Sequence, residues 1–177
     1  MVKLNAKQLR RQTANSKQLT ARNEIYIVLD NVLDTYNVGS IFRLADAVAA
    51  KKVYLCGKTE IPPNPRIKKA SINTTEWVEW SYKETAIEAI NDIRLTINDI
   101  QTVAVEQSKK SVPYDKFEYK LPVCLVVGNE TYGVSKEVLD ICDGIVEIPM
   151  YGINISLNVM VSLGIVLYQA LGNTNSV

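Results

Sequence analysis

The sequence predicts an α/β protein with a mostly parallel sheet and helices on both faces. Short apolar runs rich in β-branched residues alternate with segments of helical periodicity after residue 23. Two of these runs, 100–106 and 122–128, contain consecutive apolar residues, at 103–105 and 123–127, as strands covered by helices on both faces of a parallel sheet usually do. The chain has 177 residues, 47% hydrophobic and 22% charged, a composition typical of one soluble globular domain.

Each element follows from a local signal. Strands are predicted where apolar, β-branched or aromatic residues cluster, at 24–30, 52–57, 77–82, 100–106, 122–128 and 144–149. Helices are predicted by apolar periodicity or by a capping signal, at 37–50, after Thr85 with Glu88 as its capping-box partner, at 135–142 and at 156–171. The prolines of TEIPPNPRIKK (59–69) predict an irregular loop.

The predicted final helix, 156–171, is apolar on nearly every side. Such a helix must be buried over most of its surface. An interior position and an interface with a second copy both satisfy this requirement, and we expect a homodimer.

Charge is distributed unevenly along the chain. Residues 1–22 have six basic residues, Arg10 and Arg11 among them, and no acidic one, whereas the remainder carries a net charge of −5. This division predicts a basic N-terminal extension (1–22) on a domain that spans 23–177. The extension is either a solvated tail or the contact site for a polyanion.

Several classes of protein are disfavoured by composition. No apolar stretch reaches the roughly 20 residues of a membrane span, and the N-terminus lacks the apolar core of a secretory signal, so we expect a cytoplasmic protein. The chain has no histidine, and its three cysteines are far apart in sequence. We therefore expect no metal site, no imidazole-based triad and reduced, buried thiols.

Three polar loops follow predicted strands, where parallel sheets bind ligands. They contain Asn37 and Arg43, then Gly128 and Glu130, and finally Ser156 and Asn158. Each also has a structural explanation. Asn37 and Ser156 are suitable N-caps, Gly128 can serve a turn, and Glu130 and Arg43 can be solvated surface residues.

In order and together, the stretches NVGSIFRLA, LVVGNETYG and IPMYGINISLNV resemble the three motifs of SpoU-type (TrmH-like) RNA ribose 2′-O-methyltransferases of the SPOUT superfamily. The resemblance covers about residues 24–171. It implies a C-terminal deep trefoil knot that forms the S-adenosylmethionine pocket, and a dimer interface at the knotted region. The segment IPPNPRIKKAS is similar to the substrate-side loop of that family.

The resemblance also implies roles for individual residues. Arg43 has the central catalytic role, with Asn37, Glu130 and Ser156 around it. The expected cofactor-binding residues are Val105, Gly128, Ile148, Met150, Leu157 and Asn158. RNA capture is expected from Arg10, Arg11, Arg66, Lys68 and Lys69 through phosphate contacts.

The role of Arg43 needs a physical qualification. A guanidinium remains protonated in proteins, so bidentate binding of a substrate phosphate is an easier role for Arg43 than that of a general base. Glu130 is then either the base or an anchor for its neighbours. In this interpretation Gly128 lacks a side chain so that the cofactor can lie against the backbone.

The leading hypothesis is methyl transfer from S-adenosylmethionine to a ribose 2′-hydroxyl of tRNA or rRNA. The alternative is a non-catalytic RNA-binding or assembly protein that keeps the fold. A nicotinamide-dependent dehydrogenase is disfavoured because the G-x-G-x-x-G fingerprint is absent.

Overall fold

The computed structural model describes residues 22–174, which form one seven-stranded sheet in the order β3-β2-β1-β6-β4-β7-β5. Every pair of neighbouring strands is parallel, which confirms the predicted sheet type. The strands are β1 (Asn23–Asp30), β2 (Ala50–Cys56), β3 (Trp80–Lys83), β4 (Gln101–Val105), β5 (Val112–Pro113), β6 (Val123–Gly128) and β7 (Gly144–Glu147).

Five α-helices connect or follow these strands. They are α1 (Thr35–Ala47), α2 (Pro65–Ser71), α3 (Ala86–Thr96), α4 (Lys136–Ile141) and α5 (Val159–Thr174), with a short 3₁₀ helix at Thr74–Glu76. Thr85 is the N-cap of α3 as predicted, since its hydroxyl accepts a hydrogen bond from the backbone N–H of Glu88 at 3.1 Å. The reciprocal half of the capping box differs, because the Glu88 carboxylate accepts from the backbone N–H of Glu84 at 3.3 Å instead of from that of Thr85. No helix in the described part of the chain is long and apolar enough to cross a membrane.

Alternate residues of the central strand β1 face opposite sides of the sheet, and each side has its own core. Leu29 packs in a cluster with Phe42 of α1 and Leu163 of α5. Val28 belongs to a second cluster, with Ile90 of α3 on the other face. Helices therefore cover both faces, as the consecutive apolar residues of the strands predicted.

The order of the strands places the polar loops at one edge of the sheet. β1, β2 and β3 extend toward one side, whereas β4 lies on the other side of β1, with β6 between them. Asp30 and Gly128 are direct neighbours at the carboxyl ends of β1 and β6. Parallel sheets bind ligands where the direction of strand addition reverses, so the loops after β1, β4 and β6 lie at a favourable position.

The structure differs from the sequence prediction in several elements. The segment 59–69 is not wholly irregular, because α2 begins at Pro65, whose missing N–H and fixed φ suit the first helical turn. Asn64 caps this helix by accepting from the backbone N–H of Arg66 at 2.9 Å. The final helix begins at Val159 instead of residue 156, and the two-residue strand β5 was not predicted.

The start of α1 also differs from one of the interpretations left open. Its N-cap is Asp34, which accepts a hydrogen bond from the backbone N–H of Tyr36 at 2.7 Å. Asn37 is therefore not the cap, although it lies in the first turn and is only 6% exposed. Its side-chain amide is available for a contact with another part of the chain.

Helix α2 lies close against α1 because Gly39 has no side chain. A Cβ atom at Gly39 would be 2.5 Å from the Ala70 Cβ and 2.7 Å from the Ile67 carbonyl oxygen. Both positions are inside van der Waals contact, and the carbonyl belongs to backbone that cannot rotate away. The glycine thus determines how near the basic helix α2 comes to α1.

We expect Gly39→Ala to lower the free energy of unfolding by about 1–3 kcal/mol, because the added methyl group overpacks the α1–α2 contact. Gly164→Ala is the matched control, since it is also helical but its Cβ would lie 3.4 Å from a Leu44 methyl carbon, an ordinary contact. The control should be unchanged or slightly stabilised by helix propensity. Urea denaturation measures both variants, and equal stability of the two would contradict the packing argument.

Candidate active site

A cleft of about 490 Å³ opens at the carboxyl edge of the sheet. Its walls come from the loops after β4 and β6 and from the segment that connects β7 to α5. All six residues expected to bind a cofactor line this cleft: Val105, Gly128, Ile148, Met150, Leu157 and Asn158. Glu130 and Ser156 line it as well. Segments far apart in sequence thus meet in one cavity, whose size is within the range of small-molecule sites.

The charge of the cleft is one-sided. Three glutamates line it, Glu106, Glu130 and Glu147, and no lysine or arginine does so among the described residues. Glu147 accepts a hydrogen bond from the Ser111 hydroxyl at 2.9 Å. Such a lining favours a cationic ligand and disfavours a nucleotide whose phosphates would require basic side chains. In the described part of the chain, no three potential metal ligands come together.

A chain of amide and carboxylate contacts joins the three motifs. The Asn37 side-chain amide donates to Glu130 Oε1 at 3.0 Å, and the Asn158 amide donates to Asn37 Oδ1 at 2.9 Å. Glu130 also accepts from the backbone N–H groups of Leu33 and Asp34, each at 3.0 Å. Asn37 therefore uses both a donor and an acceptor to connect the loop after β6 with the start of α5.

Asn158 is also the cap of α5. Its Oδ1 accepts from the backbone N–H of Met160 at 2.9 Å, so the interpretation of Ser156 as the N-cap is wrong. Ser156 is exposed and lines the cleft instead. One asparagine side chain thus orients both the final helix and Asn37.

The environment of Glu130 determines its protonation. Partial burial raises the pKa of its carboxyl group, whereas hydrogen bonds from Asn37 and from the backbone N–H groups of Leu33 and Asp34 lower it. Together the hydrogen bonds outweigh burial, and the pKa lies below the ordinary value of 4.5. Glu130 is therefore a carboxylate near neutral pH, with both oxygens already accepting hydrogen bonds. This geometry favours an anchor over a free base.

The loop 129–133 is tightly closed. The backbones of Asn129 and Gly133 form a reciprocal pair of hydrogen bonds at 3.0 and 2.8 Å, and Gly133 has a φ of 70°. A Cβ at Gly128 would overlap the backbone of Gly133. The expectation that Gly128 is bare to admit a cofactor therefore needs correction, because its missing side chain is required by the returning loop.

Sequence reasoning missed three polar residues that position this loop. Buried Asp30 accepts from the Ser135 hydroxyl and backbone N–H at 2.7 and 2.9 Å. Glu106 accepts from the Val134 N–H at 2.8 Å, and Asn129 donates to the Asn31 carbonyl at 2.9 Å. The available signal was position, since Asp30, Glu106 and Asn129 each end or follow an apolar strand.

Arg43 is not part of the cleft of its own chain. It is exposed on α1, is absent from the cleft lining, and has no hydrogen-bond or ion-pair partner within residues 22–174. Arg66, Lys68 and Lys69 are exposed on α2, which packs against the first half of α1. Arg10 and Arg11 lie outside the described residues.

Arg22, counted above with the basic extension, has a structural role. Its guanidinium donates to the carbonyl oxygens of Ala50 at 3.0 Å and Trp77 at 2.8 Å. These two bonds tie the start of the domain to β2 and to the segment before β3. Arg22 is therefore committed to the fold and is not a free contact for a polyanion.

The fold and the cleft define an α/β protein with a cleft of small-molecule size at the carboxyl edge of a parallel sheet. Residues 24–168 match the SpoU rRNA Methylase family, and because this span is well over half of the chain, the protein belongs to that family.

Two curated relatives show how similar the chain is to named proteins. The tRNA (guanosine(18)-2′-O)-methyltransferase of Aquifex aeolicus is 36% identical over 154 residues, which are 84% of this chain and 69% of the relative. The protein of the same name from Escherichia coli K12 is 29% identical over 150 residues, 83% of this chain and 62% of the relative. The relatives from Escherichia coli, Bacillus subtilis and Staphylococcus aureus are longer than this chain, which spans 60–64% of their length.

Solved structures agree with this assignment. The Aquifex aeolicus TrmH/SpoU tRNA modifying enzyme superimposes with a TM-score of 0.76 at 32% identity, covering 87% of this chain and 77% of that one. The SpoU methyltransferase AviRb from Streptomyces viridochromogenes, solved in complex with AdoMet, has a TM-score of 0.79 at 25% identity, covering 90% and 61%.

We expect the advantage in stability of wild type over Glu130→Gln to be greatest near neutral pH and to shrink as pH falls below about 4.5. A lowered native pKa stabilises the fold above the unfolded-state pKa, and protonation of the native carboxylate removes that contribution. In the variant an amide NH₂ group also replaces one carboxylate oxygen of Glu130, and that group cannot accept a hydrogen bond from the N–H donors around it.

Urea midpoints measured between pH 3 and pH 7 test this, with the same pair compared in an Asn37→Ala background. There the pH-dependent difference should be smaller, because one of the hydrogen bonds that lower the pKa is gone. A difference that does not vary with pH in either background would contradict the anchoring role.

Proposed function

We propose that this protein is an RNA methyltransferase that transfers a methyl group from S-adenosylmethionine to a ribose 2′-hydroxyl of tRNA or rRNA. The observation that carries the proposal is the cleft, in which every residue expected to bind the cofactor meets beside the Glu130–Asn37–Asn158 network. Membership of the family and the names of the curated relatives support the same reaction.

The cleft suits S-adenosylmethionine in size and in charge. Apolar residues such as Val105, Ile148 and Leu157 can contact the adenine ring, and the carboxylates favour the sulfonium and ammonium charges. The related AviRb, solved with AdoMet, has the same fold. A non-catalytic RNA-binding protein would have no use for an acidic cleft of this kind, so the alternative function is disfavoured.

Bound S-adenosylmethionine supplies an electrophilic methyl group, and the protein must align an attacking oxygen with it. Loop 129–133, closed by backbone hydrogen bonds, and α5, oriented by Asn158, would hold the two walls of the cleft in fixed relation. Arg43 would bind a substrate phosphate with its planar guanidinium. Ser156, which is exposed and lines the cleft, would contact the ribose.

RNA would approach across the exposed basic residues of α2, Arg66, Lys68 and Lys69. Phosphate contacts of this kind position RNA without reading its sequence. The extension 1–22, with Arg10 and Arg11, would add to this surface. The names of the relatives favour tRNA as the first substrate to test, and RNA modification together with three unpaired cysteines fits a cytoplasmic protein.

The proposal includes the trefoil knot and the homodimer of the family. Residues 149–158 contain no helix or strand, line the cleft, and are joined to the loop after β4 by a 2.6 Å hydrogen bond from Gln107 to the Ile155 carbonyl. Apolar side chains of α5, Val161 and Tyr168, are 41% and 57% exposed in the single chain. A second copy would cover these side chains. Arg43 of that copy would reach the cleft of the first, which no arginine of the described residues lines.

The first experiment incubates purified protein with methyl-labelled S-adenosylmethionine and separate pools of unmodified tRNA and rRNA. We expect label in one pool, recovered after nuclease digestion as a 2′-O-methylated nucleoside at one position. Mass spectrometry identifies the nucleoside, and sedimentation of the same sample should give the mass of a dimer.

Other outcomes separate the parts of the proposal. Label on a base would keep the cofactor and overturn the ribose assignment. Absence of transfer together with absence of S-adenosylmethionine binding by calorimetry would overturn the enzyme function and support the non-catalytic alternative.

We expect Arg43→Lys to lower kcat roughly ten- to a hundredfold, because the variant keeps the charge but loses the bidentate fork. Binding of S-adenosylmethionine by the variant should be unchanged, since the proposed partner of Arg43 is a phosphate of the RNA and not the cofactor. Arg66→Lys is the matched control, an exposed arginine on α2 where charge alone should suffice. Near-normal turnover of Arg43→Lys would contradict bidentate positioning.

A further inference from the structure

Tyr132 is a large aromatic residue with no structural explanation in the single chain. It is 88% exposed, and its ring and hydroxyl make no hydrogen bond or ring contact within the described residues. Its two neighbours, Thr131 and Gly133, both line the cleft, whereas Tyr132 itself does not. The side chain therefore stands outside the rim of the cleft.

The backbone that carries this side chain is nevertheless firmly held. Asn129 Oδ1 accepts from the N–H groups of Thr131 and Tyr132 at 2.9 and 3.0 Å. The Asn129 amide is tied in turn to the Asn31 carbonyl, and Val134 is tied to Glu106. An exposed residue on a loose loop would be unremarkable, but here four hydrogen bonds fix the loop from both sides.

A second exposed aromatic residue belongs to a segment that Glu130 joins to this loop. Tyr36, 50% exposed, is at the start of α1, two residues after Asp34, whose N–H donates to Glu130. Glu130 thus joins the loop with Tyr132 to the loop with Tyr36. The basic helix α2 packs against the same half of α1, so basic side chains lie on the helix next to the one that carries Tyr36.

Resting on the proposed function, we infer that Tyr132 is a stacking platform for an unpaired base of the RNA, next to the nucleotide whose ribose enters the cleft. A base stacked on an aromatic ring is recognised without hydrogen bonds, and RNA that is recognised in single-stranded regions commonly uses such rings. A rigid backbone suits this role because little conformational entropy is lost when the base binds. Tyr132 is thereby a positioning residue for substrate.

The ring, its hydroxyl and its bulk are separated by three variants: Tyr132→Phe, Tyr132→Leu and Tyr132→Ala. Binding of an unmodified tRNA pool is measured by fluorescence anisotropy at constant salt, with S-adenosylmethionine binding and sedimentation measured on the same samples. Leu95→Ala, a change at an 85% exposed residue on α3, is the control for loss of exposed apolar surface.

We expect Tyr132→Phe to bind tRNA as wild type does, and Tyr132→Leu and Tyr132→Ala to bind roughly five- to a hundredfold more weakly. In turnover the same loss should appear in KM for RNA more than in kcat. Binding of S-adenosylmethionine and the sedimentation coefficient should not change in any variant.

Three results would overturn the inference. Wild-type affinity in Tyr132→Leu would show that bulk suffices, and dissociation of a dimer in Tyr132→Ala would assign the residue to an interface between copies. A loss in Tyr132→Phe equal to that in Tyr132→Ala would indicate a hydrogen bond from the hydroxyl. If wild type methylates RNA and all variants bind equally, only this inference fails, whereas wild type that binds neither RNA nor S-adenosylmethionine overturns the proposed function.

Discussion

The arrangement of the site depends on one carboxylate. Glu130 accepts hydrogen bonds from the Asn37 amide and from the backbone of residues 33 and 34, and so joins the loop after β6 to the start of α1. Asn158 extends the connection to α5 through Asn37. Because ionised acceptors form stronger hydrogen bonds than neutral ones, a single charge holds three segments that are distant in sequence.

Acidic and basic residues lie on different parts of the protein and serve different parts of the proposed reaction. The cleft is acidic and suits a cationic cofactor, whereas the exposed side chains of α2 are basic and suit a polyanion. The close approach of α2 to α1 at Gly39 places the basic surface beside the helix that carries Asn37 and Arg43.

Most of the fold could be predicted from local pattern. Strands such as 122–128 and 100–106 contain consecutive apolar residues, at 123–127 and 103–105, and burial on both faces of a parallel sheet follows from that pattern. Boundaries were less accessible. Pro65 was expected in a loop because prolines usually interrupt structure, yet Asn64 as cap makes it the first residue of a helix. The final helix was expected to begin at residue 156, but it starts only at Val159, because the side chain of Asn158 caps it.

The sequence by itself determined the α/β class, the parallel sheet and the three polar loops, since these depend on hydrophobic periodicity and on residue type. Only the tertiary structure decided what each polar group does. It showed that Glu130 is an anchored carboxylate, that Gly128 is bare because Gly133 returns against it, and that Arg43 lies outside the cleft of its own chain. The reason is physical: hydrogen-bond partners nearly a hundred residues apart, as Asn37 and Glu130 are, leave no periodic signal in the chain.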